Sequence, residues 1–147
     1  MTPTQQRINV ILNALAEYGT KGIEGLEDNQ IIVNYFRKIG YKWVDDDETP
    51  WCAAFLNYIL LKSGLTGTNK LNARSFLQIG KETKTPTSGD VVILWRINKN
   101  GPFGHCGLFI KETKNTIYIL GGNQSNEVNI TEYSKSQLLG YRNIFDK

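Results

Sequence analysis

The sequence predicts an α+β domain in which N-terminal helices pack on a mainly antiparallel, five-stranded sheet. Apolar residues recur at helical spacing up to about position 79. Beyond Gly80 the apolar runs become short and rich in β-branched and aromatic residues, and Gly, Asn, Pro and Ser separate them. These connections are too short for crossover helices, so neighbouring strands should run antiparallel. A chain of 147 residues has the usual length of one domain, and we predict a single domain over residues 1–147.

The helices are predicted from apolar spacing and from capping residues. In the first helix the apolar residues fall on one face, and Gly19 follows as a stop signal. Asp28 is the predicted N-cap of the second helix. Thr49 and Pro50 predict an N-cap followed by proline at the first helical position of the third. The predicted helices cover residues 4–18, 31–39, 51–62 and a short 72–79.

The strands are predicted where short runs alternate between two faces. The predicted strands cover residues 90–97, 104–111, 116–120, 127–133 and 138–144. Within the second of these, strand alternation places His105, Gly107 and Phe109 on one face and Cys106 and Leu108 on the other. With the helices at one end of the sequence, we expect them to gather on one side of the sheet.

Charge and composition narrow the classes of partner. The net charge of +3 and the pI near 8.8 arise without a dense Lys/Arg cluster, so no nucleic-acid partner is expected. A mild positive charge favours an anionic polymer such as a bacterial cell wall. The chain lacks the roughly 18-residue apolar stretch of a membrane span and the apolar core of a secretory signal. We therefore expect synthesis in the cytoplasm and no membrane span.

Cys52 is the candidate nucleophile. A thiol in the first turn of a helix is stabilised as a thiolate by unpaired backbone N–H groups and by the helix dipole, and its own N–H is placed to bind an oxyanion. The predicted start of the third helix makes Cys52 its third residue. The alternative is a buried cysteine on the apolar stripe of that helix. The acidic run at residues 45–48 would raise the thiol pKa unless these side chains point into solvent.

His105 is the candidate general base, because it is the single histidine of the chain and imidazole is the side chain that deprotonates a thiol near neutral pH. The alternative is a packed structural histidine. Cys106 faces away from His105 in the predicted strand, so we interpret it as a small buried residue outside the site. A zinc site is not expected, since the chain has one histidine and no CxxC pair, and no cofactor is predicted.

A third polar group usually orients the histidine of such a pair. Asn123 follows the next predicted strand in LGGNQSN, and its amide oxygen would accept from His105 if the two strands form a hairpin. The alternative is an ordinary turn asparagine, with Gln124 and Asn126 as the next candidates.

The chain resembles the NlpC/P60 and CHAP superfamily of papain-like cell-wall hydrolases, and a small phage- and effector-associated branch in particular. The likeness is carried by TPWCAAFLNYILLKSGL, by SGDVVILWR leading into GHCGLFI, and by LGGNQSNEV. The upstream segment EYGTKGIEGLEDNQIIVNYF is also similar to that branch, so the likeness covers nearly the whole chain. Many NlpC/P60 enzymes have a second histidine as the third residue and many CHAP enzymes a nearby glutamate, and neither is found at Gly121 or Asn123.

The resemblance implies a papain-like fold, a catalytic triad of Cys52, His105 and Asn123, and hydrolysis of an amide bond in peptidoglycan. It implies an endopeptidase or an N-acetylmuramoyl-L-alanine amidase, acting in the periplasm or cell wall after phage-mediated release as an endolysin or after secretion as an antibacterial toxin. A secreted toxin would have an immunity protein as a partner. The alternatives are an acyltransferase or thioesterase on the same fold, or a non-catalytic phage structural or wall-binding domain.

Overall fold

A computed structural model of the chain describes residues 1–22, 29–43 and 50–146. Three α-helices precede the sheet within this part: α1 (Pro3–Leu15), α2 (Gln30–Lys38) and α3 (Cys52–Lys62). A 3₁₀ helix (Ala73–Gln78) stands where a short fourth helix was predicted, and a second 3₁₀ turn (Lys135–Gln137) precedes the last strand. The predicted α+β class is confirmed.

The strands form one antiparallel sheet with the order β1-β6-β2-β3-β4-β5. They are β1 (Lys81–Thr83), β2 (Val91–Trp95), β3 (Gly104–Glu112), β4 (Thr116–Gly121), β5 (Asn129–Ser134) and β6 (Leu138–Asn143). The described residues thus contain six strands where five were predicted. The additional strand, β1, is a short polar edge strand that pairs with β6.

The start of α3 differs from the prediction in a way that matters for the site. Its first helical hydrogen bond joins the Phe55 N–H to the Trp51 carbonyl at 2.9 Å, so Trp51 is the N-cap and Cys52 the first helical residue. The predictions that Pro50 is the first helical residue and Cys52 the third are wrong. The predicted caps Asp28 and Thr49, like the acidic residues 45–48, lie outside the described residues. The cap observed on α2 is Asn29, whose Oδ1 accepts from the N–H of Ile31.

Two apolar clusters lie on the two faces of the sheet. The larger contains buried residues of α1, α2 and α3 together with the residues of β2, β3 and β4 that face them, including Cys106 and Leu108. The smaller is built from strand residues, including Leu94 and Phe109. The helices therefore pack on one side of the sheet, and the predicted alternation of β3 is confirmed. As a result, α3 lies directly over the face of β3 that carries Cys106.

A buried ion pair fixes α1 to the start of β2. The Arg7 guanidinium donates to Asp90 Oδ1 at 2.8 Å, and the Asp90 side chain is only 2% exposed. We expect Arg7→Met to destabilise the fold by about 3 kcal/mol, because it leaves a buried carboxylate without its partner.

Urea unfolding measures this effect. The matched control is Lys135→Met, which breaks the half-exposed pair with Glu112 at 3.2 Å and should cost less than about 1 kcal/mol. Equal losses of unfolding free energy in the two variants would show that the Arg7–Asp90 pair stabilises the fold no more than an exposed pair does.

Candidate active site

Cys52 lies at the N-terminal end of α3, where three elements of the fold meet. Because the first helical hydrogen bond starts at Phe55, the N–H groups of residues 52–54 have no partner within the helix. The Cys52 side chain is 6% exposed and lines a cleft at the surface. The thiol is thus nearly buried but open to a small reagent, and it sits at the positive end of the helix dipole.

His105 is the second residue of β3 and is held on the sheet by its pairing with Leu94 of β2. Its side chain is also 6% exposed. The imidazole interacts with the Cys52 thiol, and this interaction raises the pKa of His105 and lowers that of Cys52. The structure therefore brings the helix-start thiol and the single imidazole of the chain close enough to interact.

The residue that orients the imidazole is Gln124. Its Oε1 lies 2.9 Å from His105 Nε2. The orientation of the amide is fixed because its Nε2 donates to the carbonyls of Ile119 and Asn129 at 3.0 and 2.8 Å, and lies 3.0 Å from Asn129 Oδ1. With acceptors around its nitrogen, Gln124 must present its oxygen to the imidazole, so His105 Nε2 carries the proton. Nδ1 is then the nitrogen available to the thiol.

Asn123, the residue predicted for this position, lies in the turn after β4. Its φ is 57°, a left-handed conformation that asparagine tolerates well. The side chain that lies beside the imidazole is that of the following residue, Gln124. Asn126, the other alternative candidate for the third residue, accepts a hydrogen bond from Trp51 Nε1 at 3.2 Å. This bond connects the turn to the start of α3.

Close packing allows the glutamine to reach the histidine. A Cβ built on Gly121 would come within 2.9 Å of Gln124 Oε1, and one on Gly122 within 2.8 Å of Phe55 Cβ. The paired glycines of LGGNQ thus let the turn approach both the imidazole and α3. In the sequence they signal a tight approach, but they do not say which of the next residues faces His105.

Sequence reasoning missed two residues of this site. Tyr133 of β5 lies with its hydroxyl 3.3 Å from His105 Nε2 and its ring 5.2 Å from the imidazole. Burial raises the pKa of Tyr133 well above its ordinary value, so it stays a neutral hydroxyl. Cys106 was predicted to lie outside the site, and this prediction is wrong. Its thiol and its backbone N–H both interact with Cys52 and lower the pKa of that thiol, because α3 covers the face of β3 to which Cys106 points.

These contacts set the protonation of the site. Hydrogen bonds from the Cys106 thiol, from His105 and from the Cys106 N–H, with the charge of the imidazolium, hold the pKa of Cys52 well below its usual range against the opposing effect of burial. Burial lowers the pKa of His105, but the bond and charge of Cys52, with the bond to Gln124, raise it by more. The Cys106 pKa is raised by burial and by Cys52. The site therefore favours a Cys52 thiolate beside a His105 imidazolium, with Cys106 protonated.

A cleft of about 590 Å³ opens at Cys52. Most of its lining is apolar: Pro50, Leu71, Ala73, Ile97, Pro102 and Phe103. Arg96 also lines it, and its charge lowers the pKa of His105 and that of Tyr133. The cleft can therefore hold an acyl group against the thiol, with one cation at its wall.

Arg74 holds the wall of this cleft in place. Its guanidinium donates to the carbonyls of Asn98, Lys99 and Phe103, at 2.9 to 3.0 Å. In this segment Ile97 has a φ of 67°, which is a strained conformation for a β-branched residue. These bonds connect the 3₁₀ helix at residues 73–78 to the wall of the cleft.

The described ranges contain neither a metal-binding cluster nor a membrane-spanning helix. No group of three or more His, Cys, Asp or Glu side chains there is arranged to hold a metal ion. None of the helices in the same ranges has the length and apolar character to cross a membrane.

Comparison with known proteins gives a likeness in structure alone. No family model matches the sequence, and no curated protein matches it. The P60 domain of an antigen from M. avium subspecies paratuberculosis superposes with a TM-score of 0.59 at 11% identity, over 99% of this chain and 98% of that domain. An NLP/P60-family protein similar to a lipoprotein, from Staphylococcus aureus, superposes with a TM-score of 0.57 at 14% identity.

The match to the staphylococcal protein covers 97% of this chain but 42% of that protein, so the chain spans less than half of that neighbour's length. At these identities the likeness concerns the fold. The helices, the antiparallel sheet and the two neighbours together show that the chain has the α+β fold of NlpC/P60 domains.

Proposed function

We propose that the protein is a cysteine peptidase or amidase that hydrolyses an amide bond of the peptidoglycan peptide. The observation that carries this proposal is the interacting pair of Cys52 and His105, whose thiol lines a cleft large enough for an acyl group. The NlpC/P60 fold of the chain supports it. The substrate class rests on this fold and on the resemblance in sequence to cell-wall hydrolases.

The reaction would start from the thiolate and the imidazolium. Cys52 Sγ attacks the carbonyl carbon of the amide, and His105 gives its proton to the leaving amine, which leaves a thioester on Cys52. A water molecule then attacks the thioester while His105 accepts its proton, and the acid product departs. Gln124 keeps the imidazole turned so that Nδ1 faces the sulfur throughout.

The start of α3 supplies the group that stabilises the tetrahedral intermediate. The N–H of Cys52 has no partner within the helix, and it points out of the same end of the helix from which the sulfur attacks. A developing oxyanion at this position gains both a hydrogen bond and the favourable end of the dipole. The role of Cys52 is therefore double, as nucleophile and as oxyanion donor.

Digestion of purified peptidoglycan tests the proposal. The wild-type protein should release fragments whose masses identify one cleaved amide bond. Cys52→Ala should abolish this release, because the other thiol of the site, Cys106, is fully buried and cannot meet the substrate. A matching thermal unfolding curve for the variant would show that its fold is intact. Release by Cys52→Ala at the wild-type rate, or no amide cleavage by the wild-type protein, would contradict the proposal.

A second candidate activity is acyl transfer or thioester hydrolysis. The apolar lining of the cleft favours it, since side chains such as Leu71, Ile97 and Phe103 suit an alkyl chain better than a polar peptide. The same thiol pair would form the acyl-enzyme. Incubation with acyl thioesters of rising chain length, followed by mass analysis of Cys52, separates this activity from amide hydrolysis.

A further inference from the structure

The second cysteine of the chain has no part in the hydrolysis described above. Cys106 lies on the face of β3 that α3 covers, and its thiol and backbone N–H interact with the Cys52 thiol. Both residues belong to the apolar cluster between α3 and the sheet. The chain contains two cysteines in all, and both lie in this cluster.

The two thiols differ in their access to solvent. Cys52 is 6% exposed and lines the cleft, whereas Cys106 is fully buried behind it. A small oxidant entering the cleft therefore meets the sulfur of Cys52 and not that of Cys106. Cys52 is also the thiol held as a thiolate, which is the form that reacts with peroxides.

We propose that Cys52 and Cys106 form an intramolecular disulfide when hydrogen peroxide enters the cleft. In the first step the Cys52 thiolate attacks one oxygen of the peroxide, so that a sulfur–oxygen bond forms, the oxygen–oxygen bond breaks, and hydroxide leaves to be protonated to water. In the second, the Cys106 sulfur attacks the sulfur of the resulting sulfenic acid. The sulfur–sulfur bond forms, and the hydroxyl group leaves with the Cys106 proton as water.

The balance is two thiols and one peroxide giving one disulfide and two waters. The sulfurs must approach to about 2.05 Å for this bond. Since the two thiols interact within one buried cluster, we expect side-chain rotation to supply the movement. Cys106 acts as the resolving thiol, which intercepts the sulfenic acid before a second peroxide converts it irreversibly to a sulfinic acid.

The disulfide removes the thiolate on which the proposed hydrolase depends, so oxidation should stop turnover and a dithiol reductant should restore it. This loss of turnover rests on the proposed function. The disulfide itself does not, because it is read from masses and needs no substrate.

Peptide mapping under non-reducing conditions tests the inference. The reduced protein is treated with a series of hydrogen peroxide concentrations, blocked with N-ethylmaleimide and digested with trypsin, which can cut between the two cysteines at sites such as Lys62. We expect one crosslinked peptide pair containing Cys52 and Cys106, an intact mass lower by two hydrogens, and recovery of both thiols with dithiothreitol.

Two variants separate the roles of the thiols. In Cys106→Val, peroxide should give a sulfenic acid at Cys52 that dimedone traps, and then a sulfinic acid that dithiothreitol does not reverse. In Cys52→Ala, the buried Cys106 should remain a free thiol at the same dose. Sulfinic acid at Cys52 of the wild-type protein with Cys106 still free, or a disulfide that joins two chains, would overturn the inference whether or not the protein proves to be a hydrolase.

Discussion

His105→Asn is expected to reduce turnover on the wild-type substrate about 10²- to 10⁴-fold, the usual contribution of a general acid–base residue. Asparagine can still hydrogen-bond, but it neither takes up a proton nor carries a positive charge. The Cys52 pKa should rise because the bond and charge of His105 both lower it. The Cys106 thiol and N–H remain in the variant, so we expect the rise to be partial.

The rate of alkylation by iodoacetamide as a function of pH measures this shift without any substrate. In the wild-type protein the rate should already be high below neutral pH, because the thiolate is the reacting form. In His105→Asn the increase of the alkylation rate with pH should occur at higher pH. Tyr133→Phe is the matched control, since it removes a hydroxyl 3.3 Å from the same imidazole and keeps the ring. A pH profile in His105→Asn that matches the wild type would show that the imidazole does not activate the thiol.

The Cys–His pair was predictable because the sequence left few choices. A chain with one histidine has one imidazole to offer, and the start of a helix is where a thiolate is stabilised. Strand alternation also placed His105 and Cys106 on the correct faces of β3, because side chains on a strand alternate regardless of what packs above them. These inferences depend on local geometry, which the sequence specifies well.

The exclusion of Cys106 failed because it required knowledge of a long-range arrangement. Alternation says that Cys106 faces away from His105, but it does not say that α3 covers that face and brings Cys52 onto it. Cys52 lies at the end of α3, so its sulfur can interact with Cys106 on the face of β3 that α3 covers. It can also interact with the imidazole of His105, which leaves the strand on the opposite face. The sequence held no signal for this contact.

The choice between Asn123 and Gln124 depended on backbone conformation. In the turn after β4, Asn123, Ser125 and Asn126 all have positive φ, and each such residue redirects the side chains that follow. Neighbouring residues in such a turn point in quite different directions, so the motif LGGNQ locates the turn without identifying the residue that faces His105. The polar edge strand β1 was missed for a similar reason, since three residues with no apolar alternation give no strand signal.

Gln124→Met is expected to have the second large effect, because this side chain serves both the fold and the imidazole. The variant removes the acceptor for His105 Nε2 and leaves the carbonyls of Ile119 and Asn129 without their amide donor. Each buried polar group left unpaired costs about 1–3 kcal/mol, so unfolding in urea should shift clearly to lower concentration. Gln124 raises the pKa of His105, so that pKa should fall in the variant.

The pKa of His105 can be followed without ambiguity by NMR, because the single histidine gives a single set of imidazole C–H signals. Asn123→Gly is the matched control in the same turn. Glycine accepts the φ of 57° at this position, so the variant removes the side chain without straining the backbone. We expect its histidine titration to match that of the wild type while that of Gln124→Met moves to lower pH. The opposite result would return the orienting role to Asn123, because a residue that does not touch the imidazole has no direct means of shifting its protonation.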